Sequence, residues 1–283
     1  MLRVFFGHHK CASQWITLII ERMCNEMGWK SICAYQDTIN KYKSLQHLIE
    51  TEKPDFLILP ESSHNRTIEI KSEYFGFHII RDPRDIIVSC YFSHKKSHKI
   101  SNYIPTLEHR EKLNILSKKE GINYEFSISY VFIENLYRWK YNYSNIYETK
   151  FEVLTQHPEQ EFYKILSFLT ILKDQGSFMD GLIYNYNRFC RKTHLTPFVI
   201  KLNKYNKNQL NRIIRQLSFK NLKQEKNKNL GRTTSHYRKG ESGDWKNHLD
   251  ESQEKMILDF FPNILDTMSF KTKVCFLAFS LSK

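Results

Sequence analysis

At 283 residues and 41% hydrophobic content, the chain can bury a full core, which excludes a small scaffold held by disulfides and points to one large α/β domain. Its 43 Lys and Arg against 30 Asp and Glu leave a formal charge of +13, so the expected partner is anionic: a nucleic acid, a phosphorylated cofactor, an acidic substrate or a membrane surface. Six cysteines (Cys11, Cys24, Cys33, Cys90, Cys190, Cys275) form no CxxC pair and read as reduced thiols of a cytoplasmic protein. Leu2 to Phe6 is too short for a signal-peptide h-region, and no stretch approaches the roughly twenty apolar residues of a membrane span.

The chain opens with a strand, LRVFF, then GHHKCAS, then a helical pattern carried by Trp15, Ile16, Leu18, Ile19, Ile20 and Met23. Ser13 is the expected N-cap. Lys10 beside a helix N-terminus suits a phosphate or sulfate group, because the dipole and the ammonium favour the same sign of charge. The spacing is not that of a Walker loop, since only two residues separate Gly7 from Lys10. A second unit runs from the strand Lys30 to Tyr35, through a polar turn with Asp37, to a helix containing Leu45 and Ile49. Pro54 introduces the strand Asp55 to Leu59, and the loop Pro60-Glu61-Ser62-Ser63-His64-Asn65 follows it.

Phe75 to Ile80 reads as the central strand, closed by Arg81-Asp82-Pro83-Arg84-Asp85. Pro83 stops the strand, and Asp85 can cap the helix of Ile86, Ile87 and Val88. Ser89 follows eight residues after Arg81. Strands alternating with helices imply a parallel sheet with right-handed crossovers. Arg81 then stands at the carboxyl edge, where ligands bind, and its guanidinium can fork onto a phosphate.

Residues 95–119 are basic and polar, with a helix from Leu107. The helix Phe126 to Trp139 is expected to bury Ile128, Val131, Phe132 and Leu136. Asn145 to Val153 is expected as the last strand, and Pro158 as the start of a helix burying Phe162, Ile165, Leu166 and Phe168. Basic, Asn-rich helices occupy 201–228. Arg238-Lys239-Gly240-Glu241-Ser242-Gly243-Asp244-Trp245-Lys246 is a turn-rich basic segment whose glycines allow close backbone approach to a ligand, pinned by an aromatic anchor. His94 and His98, four apart, have no Cys or Glu partner in a zinc pattern and are expected to be solvated.

Three of these segments fall in the order and spacing of one family, and the chain resembles the sulfotransferases that use 3′-phosphoadenosine 5′-phosphosulfate (PAPS). His9-Lys10-Cys11-Ala12-Ser13-Gln14-Trp15 is similar to the family's Pro-Lys-Ser-Gly-Thr-Thr-Trp loop, which holds the 5′-phosphosulfate; Cys11, Ala12 and Gln14 replace Ser, Gly and Thr. Arg81 with Ser89 resembles the 3′-phosphate pair, and Arg238, Lys239 and Gly240 open a match to the Arg-Lys-Gly-x-x-Gly-Asp-Trp-Lys clamp. Phe151, ahead of Pro158, stands where the family has a tyrosine near the adenine, and Phe219 where a ring packs near the base.

The resemblance covers about residues 2–255. It implies a P-loop-like single α/β domain, residues 1–270, with a central parallel sheet flanked by helices on both faces, ahead of a tail, 271–283. It further implies PAPS as donor, no metal, and sulfuryl transfer to a hydroxyl or amine of a small-molecule or saccharide acceptor, with Lys10 neutralising the leaving oxygen. The general base stays open. His64 leads on its free pKa of about 6.5, with Glu61 and Asp37 as alternatives. The acceptor pocket is expected from Glu61 to Arg66, Tyr91 to Thr106 and Tyr184 to Pro197, a lining that suits a sugar. The runner-up is a non-catalytic adenosine-bisphosphate-binding module; a nucleic-acid partner is not expected, for want of a nucleic-acid motif.

Overall fold

The structure, a computed structural model, describes residues 1–101, 103–218, 220–222 and 242–268. Phe219, Arg238, Lys239, Gly240 and the tail 271–283 lie outside the described residues. Five parallel strands, β1 (Leu2–Phe6), β2 (Ser31–Cys33), β3 (Phe56–Leu59), β4 (Tyr74–Ile80) and β5 (Ile146–Lys150), form one sheet in the order β2-β3-β1-β4-β5. Its helices are α1 (Ser13–Met27), α2 (Gln36–Asn40), α3 (Leu45–Glu52), α4 (Arg66–Glu69), α5 (Pro83–Lys96), α6 (Leu107–Ile115), α7 (Lys118–Tyr137), α8 (Phe151–Gln156), α9 (Pro158–Phe168), α10 (Phe178–Lys192) and α11 (Lys207–Gln216), followed by Glu251–Phe260 and Ile264–Met268. A two-stranded parallel pair, β6 (Leu172–Lys173) and β7 (Tyr205–Asn206), lies apart from the main sheet.

Strand residues alternate between two cores, as the two-residue period of a strand requires. Phe5, Phe56, Ile58, Phe77 and Ile79 join α1, α5, α7, α9 and α11 in one cluster. Val4, Phe6, Leu57 and Leu59 join Ile39, Leu48 and Trp139 in the other. The chain leaves β1 toward β3 and β2 on one side, then crosses to β4 and β5 on the other. This order places the switch point at the carboxyl ends of β1 and β4, where a crevice opens in such sheets.

Local signals differ from expectation in four places. Asp82, not Asp85, caps α5, its carboxylate accepting from the Arg84 amide at 2.9 Å, because Pro83 takes the first helical position. Ala12 occupies the cap of α1, and the Ser13 hydroxyl instead donates to the His8 carbonyl at 2.8 Å. β5 ends at Lys150 and Phe151 starts α8. Finally, α7 starts at a capping box of Ser117 and Glu120, and its buried stripe is Ile122, Glu125, Phe126, Ser129, Ile133 and Leu136; Ile128, Val131 and Phe132 are only half-buried. Apolar periodicity missed that stripe because a carboxylate and a hydroxyl sit in it.

One buried polar chain crosses the sheet beneath the crevice. His78 on β4 stands opposite Glu148 on β5, and the two meet at 2.5 Å; His78 Nε2 lies 2.6 Å from His8 Nε2. The Trp139 indole donates to Glu148 at 3.1 Å and stacks on His78 at 3.9 Å. Burial pushes the Glu148 carboxyl up to about 8 and holds His78 and His8 below the usual imidazole range. One proton arrangement satisfies each contact with neutral groups: Glu148 donates to His78 Nδ1, and His78 donates its Nε2–H to His8. The folded chain thus keeps a proton on Glu148 that the unfolded chain releases, while below the ordinary imidazole range the neutral His8 and His78 act in the opposite sense; above about pH 6.5 the Glu148 proton governs this group, so stability falls as pH rises toward 8 and levels off beyond it. Thermal midpoints measured between about pH 7 and 9 are expected to show that fall, and Glu148→Gln, whose amide can keep both hydrogen bonds, to flatten it. An unchanged slope in the variant would place the proton elsewhere.

Candidate active site

The β1–α1 loop is held from both ends of its short span. The Gly7 amide donates to the Leu59 carbonyl at 2.8 Å, and its own carbonyl accepts from the Ser62 amide at 2.7 Å. A Cβ on Gly7 would lie 2.5 Å from Ser13 Oγ and 2.9 Å from the Pro60 carbonyl, so only glycine fits there. Lys10 and Ala12 adopt left-handed backbone, φ 63° and 61°, which turns the chain sharply into α1. The opening amides of α1 have no partners within the helix and face an anion readily. The Cys11 and Trp15 side chains point inward: Cys11 is fully buried with its thiol on the His9 carbonyl, and the Trp15 indole donates to the Leu217 carbonyl at 2.8 Å. Gln14 is exposed. A ligand above this loop therefore meets mainly backbone and Lys10.

Arg81 closes the other side. It is 7% exposed, donates from Nη1 to the Lys10 carbonyl at 2.8 Å, and lies 4.0 Å above the Phe151 ring. Ser89 is half-buried further along α5. Desolvation lowers the Lys10 pKa, and Arg81 lowers it further against the pull of Cys90, Glu125 and Glu61. Two cations drawn this far from water favour an anion between them. The Gly243 and Trp245 amides donate to Asp85 at 2.6 and 2.9 Å, and Arg84 lies 3.8 Å above the Trp245 ring. The described end of the C-terminal segment is thus docked on the first turn of α5, with Gly243 at φ 77° making the turn.

Next to this cradle lies a cavity of about 540 Å³ lined by His8, His9, Glu61, Ser62 and Arg66, by residues of the stretch 36–45, and by Phe132 and Asn135. The sequence reading missed 36–45 and α7 as walls. The stretches 91–106 and 184–197 are not among its lining residues. Tyr184 is buried, and Asn187 of α10 donates to the Glu26 and Ile200 carbonyls, which fastens this helix to α1. Of the base candidates, Glu61 lines the cavity, with Oε1 3.1 Å from His9 Nδ1. Its side chain is half-exposed, and partial desolvation by the cavity walls raises its pKa, opposed by His98, Lys10 and His94. His64 is half-buried, with Nδ1 3.5 Å from Asn135 Oδ1, and lies outside the lining; Asp37 is exposed on α2.

Sequence reasoning also missed His9, which is buried, stacks on Phe132 at 4.2 Å and faces His94 Nε2 at 3.2 Å. His94 was expected in solvent, yet it is fully buried, with Nδ1 2.8 Å from Glu125 Oε1. His109 Nε2 lies 3.1 Å from the other Glu125 oxygen. Desolvation works against the Glu125 charge, but contacts with His109 and His94 outweigh it and hold this carboxyl down to about 2.

The sulfotransferase domain family matches residues 76–269 of the chain. No curated protein matches it. Among solved structures, the mouse sulfotransferase SULT7A1 complexed with PAP is similar in fold, with a TM-score of 0.53 and 16% identity over 94% of this chain and 84% of that one. Retinol dehydratase in complex with androsterone and inactive cofactor PAP follows with a TM-score of 0.44 and 14% identity, over 93% of this chain and 80% of that one. The matched span takes in β4 from Gly76 on, the Arg81 turn, α5 and the segment docked on Asp85, and through it the chain belongs to the sulfotransferase domain family.

Proposed function

We propose that the chain transfers the sulfuryl group of PAPS to a hydroxyl of a polar small-molecule or saccharide acceptor. The observation that carries this reading is the meeting of the α1 N-terminus, Lys10 and Arg81 at one end of the sheet. The amides from Ala12 onward and Lys10 take the 5′-phosphosulfate, and Arg81 with Ser89 takes the 3′-phosphate. Phe151 lies beneath Arg81 rather than open to a base, since the guanidinium covers its ring. Arg238, Lys239, Gly240 and Phe219 complete the cofactor set in this proposal on sequence alone.

In the transfer, the bond between sulfur and the bridging phosphate oxygen breaks as the acceptor oxygen bonds to sulfur. Lys10 stabilises the charge that grows on the bridging oxygen. Glu61 accepts the acceptor's proton: of the three candidates it alone lines the cavity, and His9 fixes its carboxylate. Its raised pKa brings it nearer to neutral pH, where a base works best. The polar walls, with Gln36, Asn40, Ser44, Ser63 and Arg66, support a polyhydroxylated acceptor over a steroid. The proposal takes residues 1–270 as the domain, 271–283 as a tail, and the cytoplasm as the place of action, in keeping with the free thiols of Cys11, Cys24, Cys33, Cys90 and Cys190.

Radiolabelled transfer from PAPS to a panel of sugars, alcohols and phenols tests this. Lys10→Ala is expected to cut kcat by about 10²- to 10³-fold, and Glu61→Gln by about 10²- to 10⁴-fold. Arg81→Ala is expected to weaken binding of adenosine 3′,5′-bisphosphate by roughly 10- to 150-fold, equivalent to about 1.5 to 3 kcal/mol. Tight nucleotide binding with no transfer to any acceptor would replace the enzyme with a binding module.

A further inference from the structure

We propose that Cys90, His94 and His9 form a binding site for a divalent transition-metal ion of the zinc class, set behind the cradle and tying the β1–α1 loop to α5. The Cys90 and His94 side chains share one face of α5 at i and i+4, and His9 arrives from the loop. Their ligand atoms lie within 4.8 Å of one another, and all three residues are buried. His9 Nε2 and His94 Nε2 face each other at 3.2 Å. A tetrahedral zinc with bonds of 2.0–2.1 Å sets two imidazole nitrogens about 3.3 Å apart, so this pair already has the separation of a chelate.

The outer contacts point the same way. His94 Nδ1 is on Glu125 and His9 Nδ1 is on Glu61, at 2.8 and 3.1 Å. Carboxylates on both Nδ1 atoms place the ring protons there and turn both Nε2 lone pairs toward each other. Two lone pairs at that distance repel unless a cation or an added proton stands between them. A carboxylate on the far nitrogen is also the usual support of a metal-bound histidine. The His98 ring lies 5.2 Å from both the His9 and His94 rings. One thiolate and the Glu61 and Glu125 carboxylates offset the added charge near Lys10 and Arg81. A thiolate with imidazoles selects zinc, cobalt or copper over magnesium or calcium.

This site goes beyond the sulfuryl-transfer reading, and metal content tests it without reference to turnover. The full chain, expressed without a histidine tag and dialysed against metal-free buffer, is expected to retain about one zinc per chain by elemental mass spectrometry. Cys90→Ser and His94→Gln are expected to lose it, while Cys33→Ser retains it. Glu125→Gln is expected to weaken zinc binding by about 10- to 100-fold. Cobalt loaded into the native chain is expected to show a thiolate-to-cobalt absorption band, a readout that needs no variant to fold. A native chain that holds zinc no more tightly than Cys90→Ser, or cobalt bound without the thiolate band, would overturn the site in favour of a proton shared between the two histidines.

Discussion

The hydrogen bond from Arg81 to the Lys10 carbonyl is the contact on which the candidate site depends. It joins the end of β4 to the β1–α1 loop at 2.8 Å, while the same guanidinium rests 4.0 Å from the Phe151 ring at the end of β5. Three neighbouring strand ends are thereby fixed around one cation. A buried guanidinium is costly without strong acceptors, and the Lys10 carbonyl and the Phe151 ring are among the groups that offset that cost. In the proposed function a bound phosphate adds to them.

His8 and His9 hold the loop from opposite sides. His8 reaches His78 and, through it, Glu148 and Trp139, among the residues of the β4–β5 face. His9 reaches Glu61, His94 and Phe132, between the cavity and α5. Adjacent residues anchored in opposite directions leave the backbone at Lys10 little freedom, and Lys10 adopts a left-handed conformation between these anchors and the helix.

Much of this was legible in the chain itself. The β1, β3 and β4 strands, the two strand–loop–helix turns and the parallel order followed from apolar runs broken by Gly and Pro, which are local signals. The Asp85 contact with Gly243 and Trp245 was not legible, because it joins residues 158 and 160 positions apart. The buried stripe of α7 was hidden for a different reason: Glu125 and Ser129 occupy core positions only because His94 and His109 lie opposite. The four-residue spacing of His94 and His98 was visible but suggested solvent and no Cys partner; that His94 is buried close to Cys90 and His9 depends on α7 packing over α5 and on His9 arriving from another element. The same distance effect separates the base candidates: His64 and Glu61 share a loop, and only the fold turns Glu61 toward His9 and the cavity.

The most direct test of the anion cradle is a crystal structure of the full chain grown with adenosine 3′,5′-bisphosphate. The account predicts the 5′-phosphate on the opening amides of α1 beside Lys10, and the 3′-phosphate within hydrogen-bond distance of Arg81 and Ser89. A nucleotide bound elsewhere, with neither phosphate within hydrogen-bond distance of Arg81, would contradict it.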